Sequence, residues 1–564
     1  MIEVMSSAMR RRDSPRNRSL HSCGRQSMDC IVSVGARRGK QRIEYGTTHR
    51  SCRKENTQEK QKIVAEFGHT SVCPSDACTP LLGCVSCSRG NPGEECMKIH
   101  WRLRSGIIST LATMLSFGLV ACEDAKKSVE LRAAEMVGDI AQERLVEMNS
   151  GETERAAADL INIPIEIRKI SDLIYQARGV SNTNVITTSE GNVVFDTGLA
   201  TQAAKQRRLL GEAIPGPTPY VINSHSHQDH VGGNSFWLEE GTELITHAEF
   251  PEEQRYLKAL QPYLWYRNRT LFPFMPENPP DIGFLVYGND KPTILVDDGE
   301  PYKFELGGVR FEVHPTPGAE GADNICLWLP EQKVLFSGDF FGPLFPQFPN
   351  IFTMRGEKIR KPIEYIRSLD RIIALGPEMI IPSHNDPIEG GEGLLTSLIK
   401  MRDAVQFVHD AVIAGMNDGK DVNQLMKEIQ LPPELELSQV HGRVAWGVKS
   451  IWEYYATWFH FDTTTELYGV PASAVYADLV ELAGADALVE RAKKHIDAGR
   501  PLEGLHLLEA VLGDGRDHRA GLEARRQALE MLLEEARETF KNSYEIDWLR
   551  YRIRDTDSRM VEAG

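Results

Sequence analysis

A dense group of metal-binding side chains between residues 224 and 233 constrains this chain more than any other feature. The segment reads Ser-His-Ser-His-Gln-Asp-His-Val-Gly-Gly and holds three histidines and one aspartate. Crowded into one turn, these groups would repel or desolvate one another without a cation, so ordinary core packing explains them poorly. Residues 220–223 look like a short buried strand, and the two glycines predict a turn into a helix. The pattern therefore predicts a metal site on a strand-to-helix loop.

Three further candidate ligands lie downstream, each near the end of a strand-like segment. Glu320 ends the segment Thr-Pro-Gly-Ala-Glu, Asp339 ends Phe-Ser-Gly-Asp, and His384 ends Ile-Pro-Ser-His. With the upstream Val-Val-Phe-Asp-Thr-Gly of residues 193–198, these motifs resemble the metallo-β-lactamase superfamily of binuclear zinc hydrolases over roughly residues 163–391. The resemblance implies an α/β fold, an αββα sandwich of two sheets between outer helices.

The same resemblance implies two Zn²⁺ ions as cofactors and a metal-bound water as the nucleophile. Asp229 and Asp339 are the catalytic carboxylates in this reading. One ion takes His225, His227 and Glu320, the second takes Asp229, His230 and His384, and Asp339 bridges them.

Glu320 departs from ordinary metallo-β-lactamases, in which a histidine follows the glycine directly, because here Ala319 stands between them. This offset resembles the zinc-dependent alkyl- and aryl-sulfatases. The nearest alternative ligand is His314, which also suits a core or supporting position. Asp196 suits either the orientation of a ligand histidine or a turn at the end of its strand.

Helical spacing dominates the chain beyond about residue 394. Residues 487–498, 502–512 and 522–537 predict helices, and the first two form a hairpin like that of tetratricopeptide repeats. Together with apolar segments around residues 432–459, this region resembles the all-α dimerisation domain of the alkylsulfatases. The resemblance implies a homodimer. Alternatively, the acidic helices form a face that is exposed to solvent.

Substrate recognition is less constrained than metal binding. The segment 350–356 resembles an alkylsulfatase segment that contacts sulfate, which makes Asn350 and Arg355 candidate substrate-binding residues. The planar guanidinium can donate two hydrogen bonds to a tetrahedral oxyanion, although Arg355 also suits a surface ion pair. Phe340 and Phe341 replace polar residues of the sulfatases after Asp339, and cleavage at either the C–O or the S–O bond stays open.

The N-terminal part of the chain differs in composition from the rest. Eight of the ten cysteines lie in residues 1–96, and the net charge of −16 is carried by the acidic remainder. After Met97 a basic segment precedes the uncharged, largely apolar residues 106–121, which end in Leu-Val-Ala-Cys. This resembles a bacterial lipoprotein signal with acylation at Cys122, while a buried helix that ends in cysteine is the alternative.

We therefore expect five segments. They are a spurious or disordered extension (1–96), a signal peptide (97–121), a spacer and helix (122–160), a catalytic domain (161–400) and a dimerisation domain (401–564).

The expected function is hydrolysis of alkyl or aryl sulfate esters by a homodimer held at the bacterial cell envelope or periplasm through a lipid on Cys122. The expected partners are this small anionic ester and the membrane, with no nucleic acid. Hydrolysis of a lactone, lactam or phosphoester is one alternative, and a non-catalytic lipoprotein scaffold is another.

Overall fold

The computed structural model describes residues 123–148, 163–272, 275, 290–351 and 353–562. All of these residues belong to one compact unit. The expected extension, the expected signal peptide and Cys122 lie outside the described residues. In the part of the chain that is described, no helix is both long enough and apolar enough to cross a membrane.

Seven strands form the first sheet in the order in which they occur along the chain. Neighbouring strands are antiparallel from β1 to β4 and parallel from β4 to β7. The strands are β1 Ile167–Lys169, β2 Ile174–Ala177, β3 Thr183–Thr188, β4 Gly191–Phe195, β5 Tyr220–Ile222, β6 Glu243–His247 and β7 Ile294–Val296.

Six strands form the second sheet in the order β13-β12-β11-β10-β9-β8. Only the β11–β12 pair of this sheet is parallel. The strands are β8 Tyr302–Leu306, β9 Val309–Pro315, β10 Ile325–Leu329, β11 Val334–Gly338, β12 Met379–Pro382 and β13 Ile388–Glu389.

The two sheets face each other across one apolar core. Phe195 and Ile222 of the first sheet belong to the same buried cluster as Phe336 and Ile381 of the second. The rings of Phe195 and Phe336 lie 5.6 Å apart between centroids. Helices cover the outer faces, because a sheet with two apolar faces must bury both of them. The predicted αββα sandwich is confirmed.

The outer helices of the sandwich are interspersed with the strands along the chain. Helix α1 packs on α2 through ion pairs that include Arg208 with Glu135, and α7 packs on the second sheet through Leu369. The helices are α1 Glu123–Met148, α2 Ala200–Ala213, α3 Gln228–Val231, α4 Asn234–Trp237, α5 Phe250–Ala259, α6 Gln261–Leu271 and α7 Pro362–Leu375.

A helical region completes the fold, as the sequence predicts. Its first helix spans the expected domain boundary at residue 400 and packs on the sandwich through Leu398. A separate core, which includes Ile496 and Leu508, holds the predicted hairpin together. The helices are α8 Glu392–Asn417, α9 Val422–Glu428, α10 Val444–Ala456, α11 Tyr476–Ala483, α12 Ala485–Asp497, α13 Pro501–Leu512, α14 Arg519–Glu538 and α15 Ser543–Glu562.

Candidate metal centre

The seven candidate ligands converge at one end of the sandwich, where strands β5, β9, β11 and β12 stop. Parallel neighbours such as β11 and β12 end at the same edge, so Asp339 and His384 follow adjacent strand ends. The histidine-rich loop runs from the end of β5 into α3, which begins at Gln228. Residues separated by up to 159 positions are therefore brought into two adjacent groups.

The first group contains four residues whose potential ligand atoms lie within 4.8 Å of one another: Asp229, His230, Asp339 and His384. Nε2 of His384 lies 3.2 Å from Asp229 Oδ2 and 3.1 Å from Asp339 Oδ2. Nε2 of His230 lies 3.3 Å from Asp339 Oδ2. Two carboxylates and two imidazoles facing one point are a suitable donor set for zinc.

The second group contains three residues that meet the same distance limit, namely His225, His227 and Glu320. His225 Nε2 and His227 Nδ1 are 2.8 Å apart, and His227 Nδ1 lies 3.8 Å from Glu320 Oε2. The ring centroids of His225 and His230 are 4.2 Å apart, which places the two groups side by side. The structure thus brings together every residue that the sequence singled out as a ligand.

Buried atoms without partners fit the presence of cations. His230 Nε2 and Asp339 Oδ1 are buried and have no hydrogen-bond partner among the described residues. Against the effect of burial, the charges of Asp339 and Asp229 raise the pKa of His384 to about 10, and the positive charges of His384 and His230 hold the pKa of Asp339 well below its usual range. A divalent cation would replace these protons, since metal ligands must be deprotonated.

Contacts behind the ligands fix the orientation of the imidazoles. Asp196 Oδ2 lies 2.8 Å from His230 Nδ1, and its Oδ1 accepts a hydrogen bond of 2.7 Å from the amide of Ser224. His384 Nδ1 lies 2.6 Å from the carbonyl oxygen of Val180. When Nδ1 carries the proton, Nε2 keeps its lone pair for a metal. Asp196 therefore orients a candidate ligand histidine while it also sits at a strand-end turn with φ of 57°.

The alternative ligand, His314, takes part in neither group. It is buried on β9, and its Nε2 lies 3.3 Å from Glu312 Oε2. Strand β9 ends at Pro315, so the chain must continue through residues 316–319 before it reaches the metal centre. His314 thus occupies a supporting position in the sheet.

Two arginines hold the carboxylate of Glu320. Arg360 donates to both of its oxygens, over 3.0 and 2.7 Å, and Arg355 donates to Oε2 over 3.1 Å. Arg355 and Arg360 also contact Glu357, whose Oε1 lies 3.4 Å from His227 Nε2. The ion pair considered for Arg355 exists, but it lies inside the site, because only 18% of that side chain is exposed.

Asn350 lies beside this arginine pair. Its carbonyl oxygen accepts a hydrogen bond of 2.8 Å from Arg360 Nη1, while its own Nδ2 is buried without a partner among the described residues. An unused buried donor is costly unless a ligand satisfies it. Arg355 thus places a hydrogen-bond donor next to Glu320 of the second ligand group, to which Asn350 is linked through Arg360.

Four residues of the site had not been singled out from the sequence: Glu357, Arg360, His441 and Tyr544. Burial lowers the pKa of His441 to about 4, and the charges of Glu320 and Arg355 act on its ring. Tyr544 is buried, and its ring centroid lies 5.0 Å from that of His441. The helical region therefore supplies one wall of the metal centre, which no local sequence pattern indicates.

Helix α6 closes another side of the site. Its Arg267 donates hydrogen bonds to the carbonyl oxygens of Arg355 and Met354, over 3.1 and 2.7 Å. In the same helix Leu264 is buried, whereas Tyr263 and Tyr266 are about half exposed. Helix α6 thus contributes to packing through Leu264 and holds the backbone of the segment that carries Arg355.

Comparison with known families gives two matches. Residues 177–384 match the metallo-beta-lactamase superfamily, and residues 421–549 match a family described as alkyl sulfatase dimerisation. The chain is 25% identical to a linear primary-alkylsulfatase of a Pseudomonas strain over 53% of its own length and 60% of the relative. It is 26% identical to an alkyl/aryl-sulfatase of Saccharomyces cerevisiae over 67% of its own length and 62% of the relative. The chain thus spans about 60% of the length of these two curated relatives.

Among solved structures, a stereoselective inverting sec-alkylsulfatase from Pseudomonas superimposes with a TM-score of 0.60 and 22% identity, covering 72% of this chain and 66% of the other. That likeness extends the agreement in fold across both regions of the molecule. Residues 177–384 therefore belong to the metallo-beta-lactamase superfamily, and residues 421–549 belong to the alkyl sulfatase dimerisation family.

Proposed function

We propose that the protein is a binuclear zinc hydrolase of alkyl or aryl sulfate esters. The observation that carries this proposal is the pairing of two adjacent ligand groups with buried donors for an anion, Arg355 and Asn350. The relatives named as alkylsulfatases support the same substrate class. A bound pair of zinc ions would supply a hydroxide at neutral pH and stabilise charge on the reacting oxygens.

In this proposal the ligand groups divide between the two ions. His225, His227 and Glu320 would hold one, and Asp229, His230 and His384 would hold the other. Asp339 is suited to bridge them, because one of its oxygens faces the histidines and the other is buried without a partner. Asp196, 2.8 Å from His230 Nδ1, would favour the tautomer of His230 that leaves Nε2 free for a metal.

The protein's own residues would position the sulfate group. Arg355 has the planar fork that suits a tetrahedral oxyanion, and the free Nδ2 of Asn350 can donate a further hydrogen bond. His441 is held neutral at pH 7 by burial, so its ring would donate or accept a hydrogen bond without adding charge. Phe340 and Phe341 are buried beside Asp339 and exclude water from that side.

A substrate panel with metal analysis tests the proposal. We expect the purified protein to contain close to two equivalents of zinc and to hydrolyse sulfate esters in preference to matched phosphate esters, lactones and lactams. His227→Ala should abolish turnover and lower the zinc content. His314→Ala is the matched control, because that buried histidine belongs to neither ligand group. Preferential hydrolysis of another ester class, or full activity of His227→Ala, would contradict the proposal.

We further propose that the helical region forms a homodimer. The match to the dimerisation family supports this assembly, as does a set of apolar side chains that are exposed in the single chain. These are Trp458 (71% exposed), Phe461 (86%), Tyr468 (67%) and Val470 (63%). Exposed apolar patches of this kind commonly mark interaction surfaces.

We also propose attachment to the bacterial cell envelope through Cys122. The support is the sequence pattern alone, with its basic segment, apolar stretch and terminal Leu-Val-Ala-Cys. Mass spectrometry of the protein from cells tests it: acylated Cys122 as the first residue is expected, and unmodified peptides from residues 1–96 would contradict it. Cys122→Ser should leave the protein unprocessed or unanchored.

A further inference from the structure

A cavity of about 790 Å³ lies in the helical region, and none of its lining residues is a candidate metal ligand. Its walls combine leucines of α13, α14 and α15 with the rings of Trp446, Phe540 and Trp548. Small-molecule sites commonly measure about 300–1,000 Å³ and combine apolar walls with a few polar groups. The cavity therefore has the size and the composition of a ligand site.

Four arginines line this cavity: Arg443, Arg525, Arg552 and Arg559. Three of them have protein partners. Arg443 contacts both oxygens of Glu545, over 2.7 and 2.6 Å, and Arg525 donates to Asp555 over 2.6 Å. Arg559 donates to the carbonyl oxygen of Arg516 over 2.7 Å and lies 3.3 Å from Asp517.

Arg552 differs from the other three. Within the described part of the chain its guanidinium has no carboxylate partner, and its Nε is buried without a hydrogen bond. Its nearest aromatic neighbour is Trp548, whose ring centroid lies 5.4 Å from the guanidinium carbon. Burial lowers the pKa of the neighbouring Arg525, and the positive charge of Arg552 lowers it further. The lining of the cavity thus carries positive charge that the protein does not fully balance.

The acidic residues of the lining do not compensate for this charge. Glu545 is held by Arg443, while Glu535 is exposed and the Glu509 side chain is 57% exposed beside His506. Such solvated carboxylates interact weakly with a buried charge, because water screens them. The apolar side chains of Leu508, Leu529 and Leu549 are buried.

We propose that this cavity binds a single-chain amphiphile with an anionic head group, which pairs with Arg552 while its alkyl chain lies against Leu508, Leu529 and Leu549. Charge-assisted hydrogen bonds from a guanidinium suit a sulfate, sulfonate or carboxylate head. Burial of the chain against leucines adds an apolar contribution for each methylene. This binding is separate from ester hydrolysis and does not depend on the metal centre.

The cavity nevertheless shares a wall with the metal centre. Met354, Arg443 and Glu545 line the cavity, whereas the nearby Arg355, His441 and Tyr544 belong to the metal centre. Three chain segments therefore present residues to both spaces. The binding experiment must for this reason distinguish a ligand in the cavity from one at the metal centre.

Calorimetry with decanesulfonate, below the concentration at which it forms micelles, tests the proposal on the purified protein. A sulfonate is not an ester and is not hydrolysed, and Trp446 and Trp548 provide a fluorescence signal from the cavity walls. We expect Arg552→Ala to weaken binding at least tenfold and Leu529→Asn to weaken it as well. Arg526→Ala is the matched control, because this neighbouring arginine pairs with Glu530 and Asp557 and does not line the cavity.

Control ligands and variants identify which part of the ligand is recognised and where it binds. Decanol or inorganic sulfate alone should bind at least tenfold more weakly. Because the proposed active site would also take an alkyl sulfonate, Arg552→Ala is compared in the His227→Ala background as well, and His227→Ala alone should retain one equivalent of bound decanesulfonate. Hydrolysis of a small aryl sulfate by Arg552→Ala should match the wild type, so failure of the proposed hydrolysis is a distinct result. Equal binding by Arg552→Ala, or loss of binding in His227→Ala, would overturn the proposal. A change in oligomeric state caused by Arg552→Glu, without any ligand binding, would assign the cavity to a subunit interface instead.

Discussion

At the scale of single residues, buried charges in the site are held by more than one partner each. Glu320 accepts hydrogen bonds from Arg355 and Arg360, and Glu357 contacts both arginines as well as His227. Despite their burial, the charge of Arg355 holds the pKa of Glu357 well below its usual range, and Arg360 lowers that of Glu320. Removal of one member should therefore leave its neighbours as uncompensated buried charges.

Arg360→Ala should destabilise the protein by about 3–5 kcal/mol, because the carboxylates of Glu320 and Glu357 lose a buried partner. Urea denaturation followed by circular dichroism measures this change, and the zinc content should fall with it. Arg402→Ala is the control, since Arg402 pairs with Asp370 and Asp403 at a partly exposed position, where an ion pair should contribute about 1 kcal/mol or less. Equal stability losses in the two variants would contradict the role of Arg360.

Arg355→Lys should weaken catalysis on sulfate esters, since lysine keeps the charge but lacks the planar fork. Arg355→Ala should cost more, on the order of 2–4 kcal/mol in kcat/KM, because an anion would then face a site without its matching donor. Steady-state kinetics and metal analysis check both variants, and zinc content should be retained. Wild-type kcat/KM in either variant on every anionic ester would remove Arg355 from substrate binding.

His441→Phe should change the pH dependence of stability. The ordinary histidine pKa is about 6.5, and burial lowers that of His441 to about 4 in the folded protein. Between these values the unfolded chain binds more protons, so wild-type stability is full above pH 6.5 and declines as the pH falls towards 4. The variant should lose less stability over that interval, by on the order of 1–3 kcal/mol. Parallel decline of both proteins in urea titrations would refute this.

At the scale of structural elements, the ends of strands create the site. Strand β11 ends at Gly338, whose φ is 57°, and Asp339 follows immediately. A Cβ at this glycine would lie 2.3 Å from Cβ of Ser224 on the histidine-rich loop. The absence of a side chain at one position thus allows the loop and the carboxylate to approach each other.

Gly338→Ala should therefore lower both stability, by roughly 2–4 kcal/mol, and zinc content, because backbone strain and a steric clash act together. Gly376→Ala is the matched control. Gly376 also has a positive φ, of 65°, but a Cβ there would meet nothing within 4 Å, so only the conformational cost of about 1 kcal/mol is expected. Thermal melts and metal analysis compare the two, and an equal effect on zinc content would contradict the role of Gly338.

At the scale of the whole molecule, the helical region contributes residues both to the candidate site and to the proposed dimer interface. His441 and Tyr544 bring it to the metal centre, while Arg443 and Glu545 join its α10 and α15 ends through an ion pair. Its exposed aromatic residues lie in the part that matches the dimerisation family. The proposed dimer interface and one wall of the candidate site therefore belong to the same region.

Trp458→Asp should shift the protein from dimer towards monomer, because a charge replaces a large ring in the proposed interface. Sedimentation equilibrium at several concentrations measures the dissociation constant, which we expect to rise at least tenfold. Val561→Asp is the control, an equally exposed apolar residue beyond the matched segment. A monomeric wild type, or a dimer unaffected by Trp458→Asp, would contradict the proposed interface.

The sequence alone was sufficient for the sandwich, the helical region and the set of candidate ligands, because the motifs that carry the resemblance to known families are local. Alternating apolar strands specify β-structure, and His225, His227 and Glu320 carry metal-binding groups whatever surrounds them. Asp339 and His384 are recognisable because each follows a strand. Asn350 and Arg355 were candidates because the segment 350–356 resembles an alkylsulfatase segment.

Only the tertiary structure shows which charged and aromatic residues surround the candidate metal ligands. No sequence motif includes Arg360, yet folding places its guanidinium within hydrogen-bond distance of Glu320. His441 lies 211 positions from His230, and the arginines of the cavity come from two helices, α14 and α15, and from the residue that precedes α10. The physical reason is that pairing, burial and pKa depend on distances between chain segments, whereas a sequence pattern records only chemical identity and local periodicity.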